Sequence, residues 1–160
     1  MRVAIITIST SRAAGEGADE SGDRLESFAR GIGGEIAARE LIPDDRPLIE
    51  ERLRYFSDVD VCGLVLTTGG TGVAPFDLTP EATLAVIERE VPGIAEAMRD
   101  ASRAHTRHWM LSRALAGIRG TTLIINFPGN PRAIEQTGAA IADALPHALE
   151  LIAGVSRGEH

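Results

Sequence analysis

Apolar runs of strand length alternate along this chain with segments of helical period, and that alternation limits the fold more than any single motif. Val3 to Ile8, Glu35 to Ile42, Val61 to Thr67 and Thr121 to Phe127 are short, rich in Val, Ile and Leu, and bounded by Gly, Pro or Ser, as buried strands are. Between them, Leu25, Phe28, Ala29 and Ile32 recur at i, i+3, i+4 and i+7, and Ile49, Leu53 and Phe56 keep a helical spacing. Thr79 is expected to cap a further helix with Pro80 at its first position, where a missing N–H does no harm. Ile94, Ala97, Met98 and Ala101 mark the next helix, and a closing helix after Pro131 carries Ile134, Ile141, Leu145, Ala148 and Ile152. This order implies an α/β fold, three layers α/β/α around a mostly parallel sheet, because parallel neighbours need right-handed crossovers. Ligands of such sheets bind beyond the carboxyl ends of the strands, so the segments after Ile8, Ile42, Thr67 and Asn126 are expected to meet in one cleft.

At 160 residues and 44% hydrophobic, the chain has the length and apolar content of one domain, residues 1–160. There is no internal repeat, linker or low-complexity tract, and the small, acidic segment Ala13 to Asp23 reads as the mobile loop. No run approaches the roughly 18 apolar residues of a membrane span, and Met1 to Ser9 lacks the charged start and cleavage site of a signal peptide, so a cytoplasmic protein without membrane contact is expected. A net charge of -7 argues against DNA or RNA as partners, since affinity for a polyanion comes largely from clustered cations. Cys62, the one cysteine, excludes an internal disulfide and reads as a small buried hydrophobe in a strand.

All 16 Lys+Arg residues are arginine. A Walker loop, a Schiff-base lysine and a lysyl adenylate are thereby excluded, leaving N–H groups, arginine and metal for any phosphate chemistry. Thr67 to Gly72, TTGGTG, suits that role. Gly69, Gly70 and Gly72 let N–H groups approach a ligand, and Thr68 and Thr71 add hydroxyls, although a glycine pair after a strand also makes an ordinary turn. Asp77 follows just before a helix N-terminus that favours anions. Asp44, in LIPDD after the second strand, should face the same cleft, and two carboxylates on separate loops are able to hold Mg²⁺, a hard ion that bridges phosphates. Read singly, Asp44 is equally a helix cap and Asp77 a turn residue. Asn126 to Pro131, NFPGNP, supplies a second strand-end turn, with Gly129 giving backbone access and Asn130 capping or binding. His105 and His108 form an H-x-x-H beside Arg99, Arg103 and Arg107, but no cysteine or carboxylate accompanies them and a solvated helix face explains them. Ser112 lacks the elbow motif of a serine hydrolase.

From Val3 to Ile152 the chain resembles the molybdopterin-binding family of molybdenum cofactor biosynthesis, the MogA/MoaB group. The resemblance is carried by ISTSRAAG with Asp19, Ser21 and Gly22, then LIPDD, LTTGGTG, DLTPEAT, PGIAEAMR and LSRALAGIRGTTLIINFPGNP. It implies adenylylation of molybdopterin by MgATP with release of pyrophosphate, with Mg²⁺ as cofactor and ATP and molybdopterin as substrates. It places Asp44 and Asp77 at magnesium, Asp19 at a third functional acidic position, and Thr68, Gly69, Gly70, Thr71 and Gly72 at nucleotide and phosphate. Ser9, Thr10, Ser112, Arg113, Pro128, Gly129, Asn130 and Pro131 fall around the pterin. A homotrimer or a hexamer is implied, and the molybdenum-insertion enzyme of the pathway is a further partner; molybdenum and tungsten both stay open. The chain departs from the pattern at Thr10, where many members carry aspartate, and the competing reading is a non-catalytic molybdopterin carrier or scaffold. A weaker alternative, allowed by the bare fold, is an unrelated nucleotide-binding regulator.

Overall fold

The computed structural model describes residues 1–155; the last five of the expected domain lie outside the described residues. The four expected strands form as β1 (Arg2–Ile8), β2 (Glu35–Ile42), β3 (Leu64–Thr68) and β6 (Thr122–Phe127). Two more, β4 (Arg89–Glu90) and β5 (Ala116–Arg119), complete a six-stranded sheet in the order β2, β1, β3, β6, β5, β4. The first four are parallel neighbours, whereas β5 pairs antiparallel with β6 and β4 pairs antiparallel with β5. β5 escapes the sequence reading because it has only four residues, joined to β6 by a two-residue hairpin loop with Gly120 at φ +56°.

Alternate residues of each central strand enter different cores, as the period of two requires. Val3, Ile5, Leu64, Leu66, Leu123 and Ile125 meet α2 (Glu20–Gly31), α5 (Pro92–Ser102), α6 (Pro131–Ile141) and α7 (Leu145–Ile152). Ala4, Ile6, Ile8, Val65 and Ile124 meet α3 (Arg46–Arg54) and α4 (Thr79–Val86). Those helices cover the sheet on both faces, giving the expected three layers.

Several boundaries differ from the sequence reading. The strand expected from Val61 begins at Leu64, because α3 runs on into a π-helical turn, Tyr55–Val59, which reverses the chain. Val61 then lies at φ +39° and Cys62 donates its N–H back to Phe56 O at 2.8 Å. Cys62 is fully buried as expected, but in this connection rather than in a strand. The closing helix is two helices, α6 and α7, with Pro146 at the start of the second. Thr79 is the first helical residue instead of the cap, and its hydroxyl donates to Gly69 O at 2.9 Å. The segment read as mobile begins at the end of α1 (Thr10–Ala13); Arg12 Nε donates to Ala18 O within it at 2.8 Å, and Asp19 caps α2, whose first turn fills its end.

Candidate functional site

The strand order reverses between β1 and β3, and a crevice opens there beyond their carboxyl ends. Register brings the loops together. Ile8 pairs with Ile42, Thr7 with Thr68, and Thr68 with Phe127, so Ser9, Asp44, Gly69 and Pro128 leave the sheet at nearly one level. Ile8, Ser9, Thr10, Ser11, Ala14, Glu16, Asp44, Gly70, Phe76 and Asp77 line a cleft of about 720 Å³.

The glycines of TTGGTG are dictated by close approach. Gly69 and Gly70 take φ +97° and +66°, and a Cβ on Gly69 would sit 2.2 Å from Ile8 O. Gly69 N–H donates to Phe127 O at 3.3 Å. Among the described residues no protein acceptor takes the N–H groups of Gly70, Thr71 or Gly72, which leaves a short arc of donors suited to an anion. Thr68, the last residue of β3, is buried, and its hydroxyl donates to Pro128 O at 2.7 Å, tying this loop to the one after β6.

Asp44 and Asp77 both reach the cleft, each anchored through one oxygen. Asp44 Oδ2 accepts from the N–H and the hydroxyl of Thr10 at 3.0 and 2.9 Å, while Asp44 N–H donates to the same hydroxyl at 3.0 Å. Asp77 Oδ2 accepts from Ala74 N–H at 3.0 Å. Among the described residues no hydrogen bond reaches Oδ1 of either carboxylate. The cap of α3 falls to Asp45, whose side chain accepts from Leu48 N–H at 3.0 Å, so Asp44 is spared that duty.

The other residues named from the sequence are distributed around this centre. Ser9 N–H donates to Ile42 O at 2.9 Å and its hydroxyl caps α1. Asp19 is not a lining residue of the cleft. Its Oδ1 accepts from Gly22 N–H at 2.9 Å, and its Oδ2 accepts from Thr7 Oγ1 at 2.9 Å and Arg39 Nη2 at 3.1 Å. Gly129 O accepts from Ser21 Oγ at 2.7 Å, and Asn130 caps α6 ahead of Pro131. Ser112 and Pro128 line a separate cavity of about 140 Å³ with Arg99, His108 and Trp109. His105 and His108 follow α5 in a turn and not on a helix face. Arg113 turns beneath the TTGGTG loop: its guanidinium donates to Gly72 O at 2.6 Å and Asp77 O at 2.7 Å and pairs with Glu81. That pairing holds the Glu81 carboxyl below the usual carboxylate range.

Sequence reasoning passed over Glu16 and Phe76. Phe76, 64% exposed, is the one aromatic ring among the lining residues, and Glu16 adds a third carboxylate. Nothing in the pattern marked Glu16, but an aromatic residue directly before Asp77 was a usable signal. Among the described residues no arginine lines the cleft, so an anionic ligand must bring or recruit positive charge. Among the described residues no group of three or more His, Cys, Asp or Glu is placed to hold a metal by itself. The two free carboxylate oxygens and neighbouring hydroxyls nonetheless suit a hard cation that completes its shell with phosphate oxygens and water.

The sequence profile of a family described as a probable molybdopterin binding domain matches residues 4–147. The molybdopterin adenylyltransferase of Haemophilus influenzae is 45% identical over 127 residues, 72% of this chain and 64% of that protein. The enzyme of the same name from Escherichia coli K12 is 41% identical over 147 residues, 90% of this chain and 75% of that protein. The crystal structure of the molybdopterin biosynthesis enzyme MoaB from Thermus thermophilus superposes with a TM-score of 0.90 at 44% identity, covering 96% of each chain. The chain thus spans just under two thirds of the first of these curated relatives and three quarters of the second. With this sheet order, these strand-end loops and a match along almost its whole length, the chain belongs to the molybdopterin-binding domain family of molybdenum cofactor biosynthesis.

Proposed function

We propose that this chain transfers the adenylyl group of MgATP to the terminal phosphate of molybdopterin. A phosphate oxygen of molybdopterin attacks the α-phosphorus of ATP, the bond from that phosphorus to the β-phosphate oxygen breaks, and pyrophosphate leaves with its electron pair. The nucleophile is already ionised at neutral pH, so alignment and charge neutralisation suffice and no general base is required. The observation that carries this reading is the pair of anchored carboxylates, Asp44 and Asp77, whose Oδ1 atoms take no hydrogen bond among the described residues, in one cleft with Gly70 of the glycine loop.

Asp44 and Asp77 would hold Mg²⁺, which neutralises developing charge on the phosphates when bound. Three carboxylates and no arginine among the described residues of the cleft call for a cation to accompany a polyphosphate. Gly70, Thr71 and Gly72 then bind phosphate oxygens through their N–H groups, and the Phe76 ring offers a face to a planar base or pterin. Ser9 and Thr10 line the same cleft. Ser112 and Pro128 line a separate cavity, and Gly129, in the turn from Pro128 to Pro131, lies within contact distance of Gly69. The carrier reading rests on the charge missing at Thr10. That hydroxyl holds Asp44 in place, and the curated relatives carry the name of the transferase.

Purified protein given molybdopterin and MgATP should release pyrophosphate. Asp44→Asn and Asp77→Asn should each lower the rate by about 100-fold or more, the scale expected when one preorganised electrostatic contact is removed, with the thermal midpoint retained. An intact protein that stays silent where a relative turns over ends this reading. No described helix is long and apolar enough to cross a membrane, and the same reading includes work in the cytoplasm as a trimer or hexamer, which sedimentation velocity checks.

A further inference from the structure

A trans peptide is planar with its C=O and N–H pointing in opposite directions, so fixing a carbonyl aims the N–H of the next residue. In the glycine loop every relevant carbonyl is fixed from behind. Gly69 O and Gly70 O accept from the hydroxyl and N–H of Thr79 at 2.9 and 3.1 Å, which sets the directions of Gly70 N–H and Thr71 N–H. Thr71 O accepts from the main-chain N–H of Arg113 at 2.8 Å, and Gly72 O from its Nε at 2.6 Å, setting Gly72 N–H and Val73 N–H. Arg113 Nη2 reaches Asp77 O at 2.7 Å, and the remaining nitrogen, Nη1, pairs with Glu81 Oε1 on α4. The second oxygen of Glu81 is buried with no hydrogen-bond partner among the described residues, so the hydrogen bonding this carboxylate shows there goes to Arg113. All three guanidinium nitrogens are thus engaged by protein acceptors.

Resting on the adenylyl-transfer reading above, we infer that Arg113, braced by Glu81, is a positioning residue: its main-chain N–H and guanidinium fix the Thr71, Gly72 and Asp77 carbonyls and so hold the far end of the phosphate loop, and it does not itself touch substrate. The family resemblance puts Arg113 among the expected pterin contacts; in the structure its guanidinium serves the loop.

The test uses the full chain with Arg113→Lys, which cannot satisfy three acceptors at once, and Glu81→Gln, which keeps the shape and removes the charge. Hydrogen exchange of the ligand-free protein should speed up about tenfold at the hydrogen-bonded amides of Ala74, Asp77 and Arg113 in both variants, as the loop's local opening becomes easier. In turnover, both should lower kcat by about tenfold and raise the KM for ATP, leaving the KM for molybdopterin within about twofold, as expected when a preorganised site loosens. Unchanged amide exchange, a Glu81→Gln enzyme with native kcat, or an effect confined to the KM for molybdopterin would overturn the inference. If the unmodified protein releases no pyrophosphate, the transfer reading fails, and the exchange experiment still decides whether Arg113 sets the loop.

Discussion

Thr10 and Asp44 hold each other through three hydrogen bonds, two of them made by the threonine hydroxyl, which donates to the carboxylate and accepts from the Asp44 N–H. An aspartate at this position could accept from that N–H but would repel the neighbouring carboxylate, so the hydroxyl restrains the orientation of Asp44 without adding charge to an already acidic cleft. Thr10→Val should therefore leave Asp44 with the main-chain contact alone and lower kcat/KM by about tenfold, equivalent to about 1.4 kcal/mol, whereas Thr10→Ser should stay near the parent; pyrophosphate release measures both. At this scale the sequence exposed the residues that end strands, because Asp44, Gly70 and Asp77 are marked by their local motifs. It concealed those whose meaning depends on a distant partner. Asp19 reads as an acidic residue in a small-residue loop until Arg39 and Thr7 close around it. Thr68 reads as a ligand hydroxyl until Pro128 O accepts its hydrogen bond.

Strain is concentrated where α3 gives way to β3. A β-branched residue is disfavoured at positive φ, yet Val61 stands at +39° to complete the reversal after the π-helical turn, and it is 51% exposed, so little packing depends on it. Val61→Asn is expected to raise stability by about 1 kcal/mol, seen as a higher urea midpoint with unchanged slope. The same junction shows why element boundaries escaped the sequence. Valine and cysteine beside an apolar strand look like its beginning, and only the back-hydrogen bond from Cys62 to Phe56 ends the helix late enough to exclude them. The long apolar strands and α2, by contrast, were legible because both their periodicity and their burial point one way. β4 and β5 carried too few residues for a period to show.

Across the molecule, arginine pairing sets the response to acid. Arg30 and Arg39 lower the Glu26 pKa, Arg46 and Arg54 lower that of Glu50, Arg113 that of Glu81, and Arg119 that of Asp58. A carboxylate whose pKa is depressed on folding contributes stability that is fully present above its unfolded value and is lost as pH falls through the folded one. From the ordinary glutamate value of 4.5 downward, the free energy of unfolding should therefore decline with pH. Urea titrations from pH 6 to pH 3 should show that fall, and Glu81→Gln should flatten part of it. These pairs are largely solvent-exposed, so each contributes modestly and salt should weaken them. The sheet's two margins complete this picture. One is β4, two exposed charged residues long, and the other is β2, with Glu35 and Arg39 exposed and Glu40 clamped by Arg52. Neither margin is a long, flat, apolar ribbon, so the molecule resists fibril growth by strand addition, and copies that associate would do so through helices and loops.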